Sequence, residues 1–189
     1  MAHSASFFQA LGLIELASIA RGFVVSDAMV KKAPVQLLLS EAISGGKYLV
    51  MIGGDVAPVD ESLKSGREFS ESDLIDELFI PQLHHQVRLG LINQFEKISA
   101  LEALAIIETK TVASTIVACD QALKTAEVSL RDLRLGKGIG GKGYFVVSGP
   151  LYEVQAAHDA ALISIEGKGT LVRSEVVTQA HADVSQLYL

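Results

Sequence analysis

An internal repeat constrains the fold of this chain more than any other feature of its sequence. Residues 10–37 align without a gap on residues 103–130, at a shift of 93 residues. The segment GGKYLVMIGGDVAPV then matches GGKGYFVVSGPLYEV at a shift of 95, and FIPQLHHQV matches VVTQAHADV at a shift of 97. Because the shift grows only between matched segments, as it does when loops gain residues, the sequence predicts two tandem copies of one domain, in residues 1–95 and 96–189.

The residue pattern predicts the same order of elements in both copies: strand, helix, strand, glycine-rich turn, strand, helix and strand. The predicted strands cover residues 11–16, 35–40, 48–52 and 74–80 in the first copy, and 104–109, 128–135, 144–147 and 169–177 in the second. The first helix of each copy is predicted at about 23–32 and 115–125. This order is that of a ferredoxin-like α+β domain, an antiparallel sheet with helices on one face. Residues 87–101 are predicted to form a tail helix and a linker.

The glycine-rich stretch GKGIGGKGYFV, residues 136–146, matches the G-x-G-x-x-G fingerprint of dinucleotide sites and nearly matches a Walker A loop. Both motifs bind phosphate at the N-terminus of the helix that follows them. Here residues 144–147 are aromatic and β-branched, which predicts a strand, and Gly143 stands where a Walker loop has Ser or Thr. The glycines are therefore predicted to form a turn between two strands, as AISGGK does in the first copy.

The composition argues against several classes of function. A net charge of −6 and the absence of Trp disfavour nucleic-acid binding. The single cysteine, Cys119, allows neither an internal disulfide nor a cysteine-based zinc site. The sequence predicts no membrane span and no signal peptide. A mean hydropathy of +0.36 is high, which indicates apolar surface buried against other subunits.

The repeated motifs together point to a family. ALGLIELASIARGFVVSDAMVKKAPVQLL, then S-x-x-I-S-G-G-K, then GGDV, then I-P-x-x-H-x-x-V follow one another in the first copy, and most of these motifs recur in the second. In this order they resemble the bacterial microcompartment shell-protein domain, over nearly the whole chain. The unpermuted tandem arrangement resembles the trimeric tandem-domain type, and it is similar to the propanediol-utilisation type that carries an iron–sulfur site.

The resemblance implies a structural protein rather than an enzyme. Three chains would form a pseudo-hexameric tile around a pore for small polar metabolites, and the tile would join other shell proteins in a sheet in the bacterial cytoplasm. The residues expected to line the pore lie on the two glycine turns: Ser44, Gly45, Gly46, Lys137, Gly138, Ile139 and Gly140. The residues expected at the tile edge are Arg21, Lys31, Lys124, His84 and His181.

The chain departs from its iron–sulfur relative at Ser44, where that relative has cysteine. A hydroxyl is a poor ligand for an iron–sulfur cluster, and Cys119 lies in a predicted helix, so it cannot take over the role. We therefore expect no cluster and no other cofactor. Two alternative functions stay open, namely a redox module with a cofactor on the threefold axis and a regulatory domain pair that binds a small ligand.

Several polar residues also have simpler interpretations. Lys31 and Lys124 lie near the C-terminus of a predicted helix, where a lysine complements the helix dipole without any role in assembly. His84 and His85 are adjacent, so they point in different directions, and no third ligand has suitable spacing. We therefore expect no metal site.

The lysines near the glycine turns, Lys47, Lys142 and Lys137, allow two interpretations. They form either a positive ring that attracts anions or a set of solvated charges. Glu15 and Glu108 match each other in the two copies, and the repeat by itself accounts for that match.

Overall fold

The computed structural model describes residues 8–96 and 102–185. The chain forms two compact units, of which the first ends at Leu83 and the second begins at His84. Each unit contains one four-stranded antiparallel sheet, which confirms the α+β class that the repeat predicts.

The first unit follows the predicted order of elements. Its elements are β1 (Ala10–Leu16), α1 (Ile19–Lys32), β2 (Gln36–Ala42), β3 (Tyr48–Gly54), α2 (Val56–Ser70) and β4 (Leu74–Ile80). The strands lie in the order β2-β3-β1-β4, and every pair is antiparallel. Helices α1 and α2 pack on each other and on the sheet, and the core between them includes Ile14, Leu16, Val25, Met29, Val50, Ile52, Val59 and Leu63.

The second unit repeats this order and adds a helix at each end. Its elements are α3 (His85–Leu91), β5 (Ala103–Thr109), α4 (Val112–Thr125), β6 (Ser129–Leu135), β7 (Gly143–Gly149), α5 (Leu151–Ser164), β8 (Leu171–Val177) and α6 (Ala182–Ser185). The strand order is β6-β7-β5-β8. No helix in the described parts of the chain is long and apolar enough to cross a membrane.

The two copies correspond element by element. Strands β1 and β5 begin 93 residues apart, β3 and β7 begin 95 apart, and β4 and β8 begin 97 apart. The shift grows from 93 to 95 residues within the glycine turn, which spans residues 43–47 in the first unit and the longer range 136–142 in the second. The predicted growth of the shift in loops is therefore confirmed.

Helices α1 and α4 both begin a few residues before the predicted positions because a capping side chain precedes each of them. The Ser18 hydroxyl accepts the backbone N–H of Arg21, and the Thr111 hydroxyl accepts that of Ser114. A side-chain acceptor of this kind satisfies one of the N–H groups that a helix N-terminus leaves without a partner. The apolar face that then begins on α1 includes Val25 and Met29, which are fully buried.

The segment between the two sheets belongs to the second unit. Helix α3 packs on β6 and α4, and Arg131 on β6 donates from Nη1 to the carbonyl oxygen of Glu96 at 2.6 Å. The compact units therefore divide between Leu83 and His84, ahead of the boundary that the sequence suggested between residues 95 and 96.

Candidate functional site

The glycine turn of the first unit is nearly bare backbone. Ile43 N–H donates to the Lys47 carbonyl at 2.9 Å, which closes the turn at the ends of β2 and β3. Between them, Gly45 and Gly46 have φ angles of +79° and +73°. Glycine adopts this left-handed conformation without the steric cost that a Cβ atom imposes. A Cβ atom on Gly46 would meet no atom within 4 Å, so the space beside the turn is open.

The second unit has an equivalent turn that is longer by two residues. Gly136 N–H donates to the Lys142 carbonyl at 2.9 Å. Gly138 and Gly140 again have positive φ angles, of +73° and +68°, with open space beside both. Lys137 is exposed, and Ile139 is half-buried. The structure thus gathers the predicted pore residues on two corresponding hairpin tips, one in each unit.

An ion pair stands at the base of each turn. In the first unit Lys47 Nζ lies 2.7 Å from Glu15 Oε1, and the Glu15 side chain is fully buried. In the second unit Lys142 Nζ lies 2.8 Å from Glu108 Oε1, in a more exposed position. These carboxylates balance the charge of Lys47 and Lys142, which weakens the interpretation of a positive ring. The sequence carried a signal for this pair, because both partners recur in the two copies.

The expected edge lysines also form corresponding ion pairs. Lys31 Nζ lies 2.6 Å from Asp27 Oδ2 on the exposed surface of α1. Lys124 Nζ lies 2.5 Å from Asp120 Oδ2 on α4, where the Asp120 side chain is only 1% exposed. The same pair is therefore open to solvent in the first unit and largely covered in the second.

Arg21, the third cation expected at the tile edge, lies at the beginning of α1. Its Nη2 atom is 2.9 Å from Glu71 Oε2, beyond the C-terminus of α2. The arginine is partly buried, and its partner is mostly exposed.

Asp120 is covered because residues 84–91 dock on α4 and β6. The backbone N–H of His84 donates to Asp120 Oδ1 at 2.8 Å. The side chain of Gln86 makes two bonds to the β6 edge, donating to the Val128 carbonyl at 3.2 Å and accepting the Leu130 N–H at 2.7 Å. Sequence reasoning missed Gln86 and Asp120, since neither residue type marks an interface by itself.

His84 is half-buried in this docked segment. Its Nδ1 atom accepts the N–H of Gln86 at 3.3 Å, which caps helix α3. Burial lowers the pKa of His84, and the neighbouring His85 lowers it further.

His181 shows the same local geometry at the other end of the second unit. Its Nδ1 atom accepts the N–H of Asp183 at 3.3 Å, and helix α6 begins at the next residue, as α3 does after His84. Unlike His84, however, His181 is exposed.

Cys119 and the other potential metal ligands of the described residues do not form a site. Cys119 is buried in α4, and burial raises the pKa of its thiol well above the ordinary value, so it is a poor nucleophile and a poor metal ligand. Among the described residues, no group of three His, Cys, Asp or Glu side chains has the geometry to hold a metal ion.

A comparison with family models finds the BMC domain twice in this chain, at residues 10–83 and 103–180. The two matches coincide with the two sheets and their helices. They leave out the whole docked segment, residues 84–91.

Individual relatives match along nearly the whole chain. The sequence is 40% identical over 173 residues to the bacterial microcompartment shell protein PduT of Citrobacter freundii, covering 92% of this chain and 94% of that one. A solved microcompartment protein of Desulfitobacterium hafniense has 36% identity and a TM-score of 0.81, covering 94% of this chain and 98% of the other. A fused permuted hexameric shell protein, MSM0275 of the RMM microcompartment, shares the fold at 20% identity with a TM-score of 0.63, covering 82% of both chains.

Proposed function

This chain belongs to the BMC-domain family of bacterial microcompartment shell proteins, and we propose that three copies of it form a pseudo-hexameric tile with a central pore. Like its relatives, it is a structural protein of the shell rather than an enzyme. Its place is therefore the shell of a microcompartment in the bacterial cytoplasm, assembled with other shell proteins. The proposal adds the number of chains and the position of the pore.

The observation that carries the proposal is a face that is open in the first unit and covered in the second. Phe23 on α1 is 65% exposed, whereas Ile116, at the same position of α4, is fully buried. Other exposed apolar residues on this face are Ile19, Val30 and Leu37, whose buried counterparts are Val112, Leu123 and Leu130. An apolar face of this extent on a folded unit is typical of a protein–protein interface.

Strand β8 of the second unit shows the reverse difference. Val177 is 37% exposed, whereas Ile80, at the same position of β4, is 7% exposed. The first unit thus leaves apolar residues of α1 and β2 exposed that the second covers, and the second leaves Val177 exposed on a different surface of the same fold. Association of unlike surfaces is heterologous, and it closes into a ring when the rotation per chain permits. Because each chain supplies two similar units, three chains supply the six that a pseudo-hexagonal tile requires.

The glycine turns support the position of the pore. They are the corresponding hairpin tips of all six units, and their glycines leave space that larger side chains would fill. If the tips converge on the ring axis, they present backbone N–H and C=O groups together with the Ser44 hydroxyl. A lining of this kind suits small polar metabolites, which exchange hydrogen bonds with water for hydrogen bonds with the backbone.

The alternative functions lack support of this kind. A redox module needs a soft ligand on the axis, and the first turn offers Ser44, while the Cys119 thiol is buried in α4. A ligand-binding domain pair needs a pocket with converging polar groups. The groove of about 390 Å³ that the second unit forms between the end of α5 and β8 is open and lined mainly by Leu162, Ile163, Ile165 and Leu171.

Sedimentation velocity of the purified protein tests the proposal directly. The expected result is a species of three times the 20.1 kDa chain mass, which appears in negative-stain images as a hexagonal tile with a central hole. A protein that stays monomeric at micromolar concentration would overturn the tile. A ring with its glycine turns on the periphery would overturn the pore.

A further inference from the structure

We propose that residues 181–185 of one chain dock on helix α1 and strand β2 of a second copy, in the way that residues 84–91 dock on α4 and β6. This inference rests on the proposed trimer and names the contact that holds neighbouring chains together. Its starting point is that the second unit contains a complete example of the contact.

The contact within the second unit has three components. The His84 N–H binds the Asp120 carboxylate, the Gln86 side chain binds the edge of β6, and Val87 is fully buried. At Gly90 a Cβ atom would come within 2.8 Å of Leu130 Cδ2, so helix α3 lies directly against β6.

Residues 181–185 repeat the docked segment at a constant shift of 97 residues. His181 corresponds to His84, and both rings accept a backbone N–H two residues further on at 3.3 Å. Val184 corresponds to Val87, but it is 42% exposed where Val87 is fully buried. Within its own chain this segment therefore repeats the local hydrogen bond of the docked segment, while its apolar residue Val184 stays exposed.

The surface that would receive the segment is also repeated. Asp27 corresponds to Asp120, and each binds the lysine four residues later through Oδ2. The Asp27 side chain is 59% exposed, whereas that of Asp120 is 1% exposed. By this correspondence, Oδ1 of Asp27 accepts a hydrogen bond from the backbone N–H of His181 of the neighbouring chain, as Oδ1 of Asp120 accepts one from His84.

The strand edge follows the same correspondence. Leu37 lies at the position of Leu130, whose N–H binds the Gln86 side chain, and it is exposed. Asp183 lies at the position of Gln86. Its carboxylate can accept the Leu37 N–H but cannot donate to the Val35 carbonyl, so one of the two bonds that Gln86 makes is retained.

The docking segment lies on the second unit, and the receiving surface lies on the first. A chain that has docked its segment on a neighbour therefore still has its own receiving surface open for a further chain. Chains add in this way until the last one docks on the first and the ring is complete. The contact would cover the part of the open face around Asp27 and Leu37, which corresponds to the surface around Asp120 and Leu130.

Thiol cross-linking tests the contact. Cys119 is the one cysteine of the chain and is buried, so cysteines introduced at exposed positions dominate the reaction. The variant Leu37→Cys with Asp183→Cys, treated with a short bismaleimide, is expected to give covalent dimers and trimers. A mixture of the two single variants is expected to stop at dimers.

Two negative results have different meanings. If the double variant sediments as a trimer but does not cross-link, the docking is wrong and the proposed trimer stands. If wild-type protein and variant are both monomeric, the proposed function fails, and the docking fails with it.

A second variant tests the assigned hydrogen bond. Asp27→Ala is expected to weaken each chain–chain contact about tenfold, the effect of losing one hydrogen bond to a charged group. Asp60→Ala is the matched control, because Asp60 forms the same exposed pair with Lys64 four residues later, on α2. Equal trimer dissociation in the two variants, measured by sedimentation on dilution, would contradict the role of Asp27.

Discussion

Gly22 on helix α1 lies directly beneath the ring of Tyr48 on β3, where a Cβ atom would collide with ring atoms Cγ and Cδ1. In the second unit the larger residue is on the helix and the glycine is on the strand. Thr115 stands at the position of Gly22, and Gly143 stands at the position of Tyr48, with Thr115 where a Cβ atom of Gly143 would be. The helix therefore approaches the strand closely in both copies, but the small residue is on the helix in one and on the strand in the other.

This relationship predicts that Gly22→Ala destabilises the protein by about 1–3 kcal/mol, the usual effect of overpacking a buried contact. The same substitution in a Tyr48→Ala background is expected to have a much smaller effect, because the colliding ring is absent. A double-mutant cycle from urea unfolding measures the coupling. Additive effects of the two substitutions would show that the ring and the helix are not in contact.

The ion pairs at the bases of the glycine turns predict different effects for matched substitutions. Lys47→Ala leaves the fully buried Glu15 carboxylate without its lysine, and a loss of about 3 kcal/mol is expected for one partner of a buried pair. Lys142→Ala removes the same contact at an exposed pair, where about 1 kcal/mol or less is expected. Chemical denaturation of the two variants makes the comparison, and equal losses would contradict it.

The docked histidine predicts a pH dependence of stability. Burial lowers the pKa of His84 in the folded state, so below the ordinary histidine value of about 6.5 the unfolded chain binds more protons. The free energy of unfolding should therefore fall as the pH drops below about 6.5. His84→Asn keeps an acceptor at the helix N-cap and should reduce this dependence. His85→Asn removes a cause of the lowered pKa that is smaller than burial, and it should retain most of the dependence. A dependence unchanged in His84→Asn would exclude His84 as its source.

We expect Lys31, which is exposed on α1, to act between tiles, as the resemblance to the shell-protein family implies. Lys31→Ala is expected to leave the trimer intact, because Asp27 Oδ1 can still accept the hydrogen bond from the backbone N–H of His181. We expect it to weaken the extended sheets that electron microscopy detects. Lys32→Ala removes the same charge from the same helix and serves as the control. Unchanged sheets in Lys31→Ala would contradict the prediction that Lys31 lies at the tile edge.

The open space at the first glycine turn predicts that Gly45→Leu obstructs the pore. The substitution places a Cβ at a φ of +79°, which costs about 1–2 kcal/mol, so the variant should still fold. Gly167→Leu is the control for backbone strain, because Gly167 has a φ of +77° in the connection between α5 and β8 and not in a glycine turn. Flux of a small polar metabolite through assembled shells should fall for Gly45→Leu alone. Equal flux in the two variants would contradict the pore assignment.

The sequence by itself determined the duplication, the order of strands and helices, and the family. These follow from local patterns, namely a repeat of 93 to 97 residues, β-branched runs and glycines that only a turn accommodates. It did not determine that residues 84–91 fold onto the second sheet, because His84 and Asp120 lie 36 residues apart and their bond joins a backbone N–H to a carboxylate. Nor did it show that the small residue of the helix–strand contact is Gly22 on the helix in the first unit and Gly143 on the strand in the second. Packing acts on the summed volume of residues distant in sequence, so only the tertiary structure decides which partner is small.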